Sequence, residues 1–92
     1  MEKEKYKIIT DMVLSEVERA KTLFPKDFVN QHEGYAVLLE EVDELWEEVK
    51  KNQKNYDLLK QRTEAIQVAA MAIRFATELT ESIDSEGKKG YF

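Results

Sequence analysis

An all-α fold is predicted by three observations. Three Gly and a single Pro leave few breakers in 92 residues. The segments between them are rich in Glu, Lys, Leu, Ala and Val, and their apolar residues recur at helical rather than strand spacing. The first helix is expected over residues 4–24. Tyr6, Ile9, Met12, Val13, Val17, Ala20, Leu23 and Phe24 fall on one side of it at about 100° per residue, and Pro25 ends it. After a polar link over residues 26–30, a second helix is expected over residues 31–51. Leu38, Leu39, Val42, Leu45, Trp46 and Val49 form its apolar stripe. Glu33, Glu40, Glu44, Glu47 and Glu48 lie around the opposite side, and Glu41 sits near the apolar edge. The turn-prone run KNQKN separates this helix from a third, with Asn55 or Asp57 as its cap and an end near Ile83. The middle of the third helix, AIQVAAMAIRFA, is apolar nearly all round and is expected to touch neighbours on most sides. The sequence thus divides into one helical domain over residues 1–84 and a flexible tail over residues 85–92.

Composition narrows the function. Lys plus Arg total 14 against 19 Asp plus Glu, a net charge of −5, which repels a phosphate backbone and predicts no nucleic-acid partner. There is no cysteine, so disulfides, thiolate metal sites and cysteine nucleophiles are excluded. No apolar run has the length of a signal peptide core or of a membrane span, so a soluble cytoplasmic protein with no membrane partner is expected. Three helices on a chain this short bury only about 60% of the unfolded surface. A homo-oligomer, a dimer or a tetramer, is therefore expected to complete the helical bundle.

The chemistry-bearing residues lie on the second and third helices. In LLEEVDELWEEVK, Glu41 and Glu44 are three apart and Glu40 and Glu44 four apart, so their carboxylates are neighbours. A solvated acidic face is the simplest account of them, but Ala36 and Val37 lie among these carboxylates. On the third helix Glu64 projects on the side of Val68, Met71, Phe75 and Leu79. An ionised carboxylate there is costly unless paired, protonated or bound to metal. Gln67, one turn on, offers a neutral carbonyl oxygen. If the Glu41/Glu44 and Glu64/Gln67 pairs face each other, their oxygens make a site for a hard cation, Mg2+ or Mn2+. Such a cage suits a polyphosphate substrate. Lys60, Arg74 and Lys54 are available cations for phosphate, and His32 can cap the second helix or touch substrate. Lys60, Gln67 and Arg74 recur every seven residues along one side of the third helix.

The run HEGYAVLLEEVDELWEEVK followed by EAIQVAAMAIRFA is similar to the MazG-like all-α nucleoside triphosphate pyrophosphohydrolases of the small phage and bacterial type. Their pattern is EExxE on one helix and ExxD on the next. Here the first half reads Glu40, Glu41 and Glu44, and the second reads Glu64-Ala-Ile-Gln67, with Gln in place of the usual Asp. The resemblance spans roughly residues 24–79. It implies Mg2+-dependent hydrolysis of an NTP or dNTP to the monophosphate and pyrophosphate. It also implies that Glu41, Glu44 and Glu64 are metal ligands, with Glu40 a further ligand or the group that orients the attacking water. Gln67 removes one negative charge from the cage, which leaves Glu33 and Glu16 as candidates to compensate. A non-catalytic helical interaction protein with an acidic face is the alternative from a different class, and a nonspecific acidic metal buffer is a third.

Overall fold

The computed structural model describes residues 1–52, 54 and 56–80. Three helices follow in order: α1 (Glu2–Leu23), α2 (Gln31–Val49) and α3 (Leu58–Glu78), with no strand among the described residues. The predicted end at Ile83 and the tail over residues 85–92 lie outside the described residues.

The helix boundaries follow local chemistry. Pro disfavours helical backbone in the residue before it. Accordingly, Phe24 leaves helical geometry while its N–H still donates to the Ala20 carbonyl at 2.8 Å. α2 starts at a reciprocal cap. The Asn30 side chain accepts from the Glu33 N–H at 2.9 Å, and Glu33 Oε1 accepts from the Val29 N–H at 2.9 Å. His32, the other candidate for that cap, lies exposed in the first turn. Asp57, as expected, caps α3 by accepting from the Lys60 N–H at 3.0 Å.

α3 is the central helix. α1 and α2 each pack against it, and their backbones do not approach one another. Ala70 is fully enclosed, and Val13, Ala20 and Met71 complete the buried apolar cluster with Ile9, Val17, Val37 and Ile73 around it. The third side of α3 carries Ala65, Ala72 and Ala76 and faces outward. The helix is therefore covered on two sides, not on most.

α2 is rotated from the expected orientation. Its inward face runs through Gly34, Val37, Leu38, Glu41, Leu45 and Glu48, spaced at one and two turns. Gly34 is needed at that contact, because a Cβ there would stand 2.5 Å from Leu79 Cδ1 and 2.8 Å from Phe75 Cδ2. Leu39, Val42, Trp46 and Val49, the heart of the predicted stripe, are left exposed, with Trp46 at 57%. Glu48, expected on the polar side, is buried. On α1, Tyr6, Met12, Leu23 and Phe24 are likewise uncovered.

The connection between α1 and α2 is fastened to the far end of α3 by one buried ion pair. Arg74 Nε donates to Glu78 Oε2 at 2.8 Å, and both side chains are 6% exposed. Arg74 Nη2 also donates to the Lys26 carbonyl at 3.3 Å, and its guanidinium lies 4.3 Å from the centre of the Phe28 ring. Glu78 Oε1 accepts from the Phe28 N–H at 2.9 Å. Burial pushes the Glu78 carboxyl up, but the hydrogen bonds from Arg74 and the Phe28 backbone, with the charges of Arg74 and Lys21, outweigh it and hold the group below its ordinary range.

Candidate metal centre

Glu41, Glu44 and Glu64 converge where α2 crosses α3. Each offers a carboxylate oxygen, and these oxygens all lie within 4.8 Å of one another. Two causes produce the cluster. The three-residue spacing puts Glu41 and Glu44 on adjacent turns of α2, and the rotation of α2 carries Glu41 inward to meet Glu64. Glu64 is buried in spite of its charge, at 8% exposure. Lys60 is its ion-pair partner, with Nζ at 3.2 Å from Glu64 Oε1.

Electrostatics at the cluster are dominated by crowding of like charge. Burial pushes the Glu41 carboxyl from its ordinary 4.5 up to about 7, and the adjacent Glu44, Glu64 and Glu40 push it the same way. The nearby carboxylates hold the Lys60 ammonium above its usual range, Glu64 first through its hydrogen bond, then Glu48 and Glu44 by charge. Folding therefore raises the affinity of Glu41 for a proton, and between pH 4.5 and about 7 the folded chain binds more protons than the unfolded one. Stability from this group is present below pH 4.5 and is lost as pH rises through 7. In chelator, the difference in melting temperature between Glu41→Gln and the wild type is expected to grow in favour of the variant from pH 5 to pH 8. A pH-independent difference in thermal scans would show that Glu41 is not crowded.

The donor set fits a small hard cation. Octahedral Mg2+ holds oxygens at 2.0–2.1 Å, so ligands on opposite sides stand about 4.2 Å apart. The three carboxylate oxygens lie within 4.8 Å of one another, close to that separation. The set is all oxygen, with no sulfur or imidazole.

Of the other predicted site residues, Glu33, Gln67 and Arg74 line one cavity with Glu41, and the rest lie outside it. Glu40 is exposed beside the cluster. Gln67 turns toward α1, where its Nε2 donates to Glu16 Oε1 at 2.8 Å. Glu16 in turn accepts from Arg19 Nε at 2.8 and 2.9 Å and from Arg19 Nη2. Arg19 is the main reason the Glu16 carboxyl lies below its ordinary range; burial opposes it and Gln67 adds to it. Arg74 is buried in the ion pair with Glu78 described above, and it also lines the cavity that Glu41 and Gln67 line. Lys60, Gln67 and Arg74 consequently do not form a row of free polar groups. Lys54 and His32 are exposed at opposite ends of α2. Glu33 is occupied by the α2 cap through one oxygen.

Sequence reasoning missed Glu48. It lies one turn beyond Glu44 and two beyond Glu41, buried, with Lys51 Nζ at 2.9 Å. The seven-residue spacing from Glu41 was the available signal, hidden by the run of carboxylates around it. A cavity of about 380 Å3 opens beside the cluster, in the gap left where α1 and α2 do not meet. Phe24, Phe28, Val37, Glu41, Gln67 and Met71 are among its lining residues. Comparison with family models, with curated proteins and with solved structures finds no match for this chain. No helix among the described residues is long and apolar enough to cross a membrane.

Proposed function

We propose that the chain is a Mg2+-dependent nucleotide pyrophosphohydrolase of MazG-like type, converting an NTP or dNTP to the monophosphate and pyrophosphate. The convergence of Glu41, Glu44 and Glu64 from two helices carries this reading. The ion pair with Lys60 accounts for Glu64 alone; a cage for a hard cation also accounts for the approach of Glu41 and Glu44 to within 4.8 Å of it. A bound Mg2+ or Mn2+ would supply positive charge against that of the phosphates. Glu41, Glu44 and Glu64 hold it, with Gln67 as a neutral fourth donor. Glu40, exposed at the rim, orients a water toward the α-phosphorus and, with Glu44, accepts its proton. The bond from the α-phosphorus to the α–β bridging oxygen breaks, and pyrophosphate leaves. Lys60, beside Glu64, and Arg74, which lines the cavity with Glu41, would meet the phosphates, with Lys54 and His32 as outer contacts. The cavity beside Glu41 has room for a nucleoside.

The test is pyrophosphate release from a panel of ribo- and deoxyribonucleoside triphosphates with Mg2+ or Mn2+. No release from any of them, by the wild type or by Gln67→Asp, would favour the non-catalytic interaction protein.

The working form is a homodimer or tetramer in a cytoplasmic setting. Leu39, Val42, Trp46 and Val49 follow a three-four alternation along the outer face of α2 and are all exposed, the pattern by which one helix seats against another. The same stripe on a second copy is its natural partner, because a two-fold axis across α2 brings Trp46 of each copy over the apolar residues of the other. Sedimentation equilibrium is expected to give twice or four times the chain mass for the wild type and the single-chain mass for Trp46→Glu. A wild type that sediments as one chain would overturn the assembly.

A further inference from the structure

The Gln67 side chain lies at the boundary of two hollows. It lines the groove between α1 and α3 together with Glu16 and Arg19, and it lines the cavity that also contains Glu41. We infer that Glu16, itself fixed by Arg19, is a positioning residue that orients the Gln67 carboxamide so that its Oε1 serves as the fourth oxygen of the cation site. This inference rests on the cation-cage reading of Glu41, Glu44 and Glu64.

Donor and acceptor identity decides which end of the Gln67 amide can face a cation. A carboxamide has two faces of opposite character, an NH2 that only donates and an oxygen that only accepts. A free glutamine flips between them, and a neutral ligand that spends half its time presenting NH2 to a cation is a poor one. An ionised carboxylate carries no proton to donate, so only Nε2 can face it. Glu16 is held in that state by Arg19, whose Nε donates at 2.8 and 2.9 Å. The Gln67 Nε2 donation to Glu16 Oε1 at 2.8 Å therefore fixes the amide, and Oε1 is held on the opposite edge of the same plane. Glu16 is well placed to impose this, because its side chain is 11% exposed, whereas that of Arg19 is 58% exposed. An aspartate at position 67 would need no such support, because both of its oxygens are acceptors. The Glu16 contact is what a glutamine requires and a carboxylate does not.

The test uses the full chain and Mn2+ alone, with free Mn2+ followed by electron paramagnetic resonance. Glu16→Gln keeps the shape of the side chain but can both donate and accept, so the Gln67 amide loses its enforced direction. Mn2+ affinity is expected to fall at least about twofold, the loss when the amide presents its oxygen half the time. The exchange variant Glu16→Gln/Gln67→Glu restores the hydrogen bond with its polarity reversed and puts an acceptor-only group at position 67. Its affinity is expected to return to the wild-type value or exceed it. The melting temperature without metal is recorded for each variant, since a merely structural contact would move that value and leave Mn2+ affinity alone. Unchanged affinity in Glu16→Gln overturns the inference, as does an exchange variant that recovers stability but not affinity. Glu41→Gln separates the two levels. If the wild type binds Mn2+ and Glu41→Gln does not, the cage stands and only the role of Glu16 is at issue. If the wild type binds no Mn2+, the cage and the inference fail together.

Discussion

Glu41→Gln is expected to lower kcat/KM for pyrophosphate release by at least about a hundredfold, because loss of a group that merely orients a metal ligand already costs about 10–100-fold. Glu64→Gln is expected to match it. The substitution removes one charge and almost no volume, so packing at the crossing of α2 and α3 is unchanged and the loss reports on chemistry. The same variants separate the competing readings through stability. If Glu41, Glu44 and Glu64 form a cage, millimolar Mg2+ or Mn2+ raises the melting temperature of the wild type by mass action on the folded state, and neither variant shows the rise. If the acidic residues serve only as a solvated or partner-binding face, added cation leaves the melting temperature of the wild type and of both variants unchanged. A metal buffer without turnover would bind cations, with little preference between Ca2+ and Mg2+, and release no pyrophosphate.

The second large effect concerns the opposite end of the molecule and no chemistry at all. Glu78→Ala leaves the Arg74 guanidinium buried without its carboxylate and strands the Phe28 N–H that Glu78 accepts. Breaking one side of a buried pair costs about 3–5 kcal/mol, against about 5–15 kcal/mol for the total stability of a typical domain. At about 4–8 °C per kcal/mol for a chain of this size, the melting temperature is expected to fall by at least about 12 °C. Replacing both partners with Met is expected to cost less than removing Glu78 alone, since no unpaired charge is then buried. A double variant less stable than Glu78→Ala in thermal denaturation would refute this account. Because the Glu78 carboxyl is held below its ordinary 4.5, its contribution is present above pH 4.5 and is lost as pH falls through its folded value. The two ends of the molecule thus respond oppositely to acid: Glu41 stabilises on protonation and Glu78 destabilises.

What could be read in advance follows a physical division. Helix ends were legible at Pro25, because the constraint on Phe24 is local, and at Asp57, because an Asx cap needs only the next turn. The proximity of Glu41 and Glu44 was legible from spacing, and Glu64 was marked by its apolar neighbours. The rotation of α2 was not legible. Its apolar stripe at Leu39, Val42, Trp46 and Val49 was read as the inward face, yet Gly34 is what lets the helix approach α3, and it does so on a different side. That misreading is also why Glu48 was placed in solvent. The hydrogen-bond partners of Arg74 and Gln67 were not legible either, for a related reason. Their partners lie on other elements, Lys26 and Phe28 in the connection and Glu16 on α1, and no pattern along α3 reveals contacts that distant. The Arg74–Glu78 spacing of four residues was the one local sign of the buried pair.

That the backbone of α1 runs close to α3 and not to α2 bears on how the chain opens and assembles. The α2–α3 hairpin joins neighbours in sequence and pays little loop-closure entropy, so it is the natural first unit to fold. α1 must then dock across a gap in sequence, and it can leave again without disturbing the contact between α2 and α3. Amide hydrogens of α1 should accordingly exchange through partial openings of lower free energy than those of α3. Departure of α1 would carry Glu16 away from Gln67 while leaving Glu41, Glu44 and Glu64 assembled.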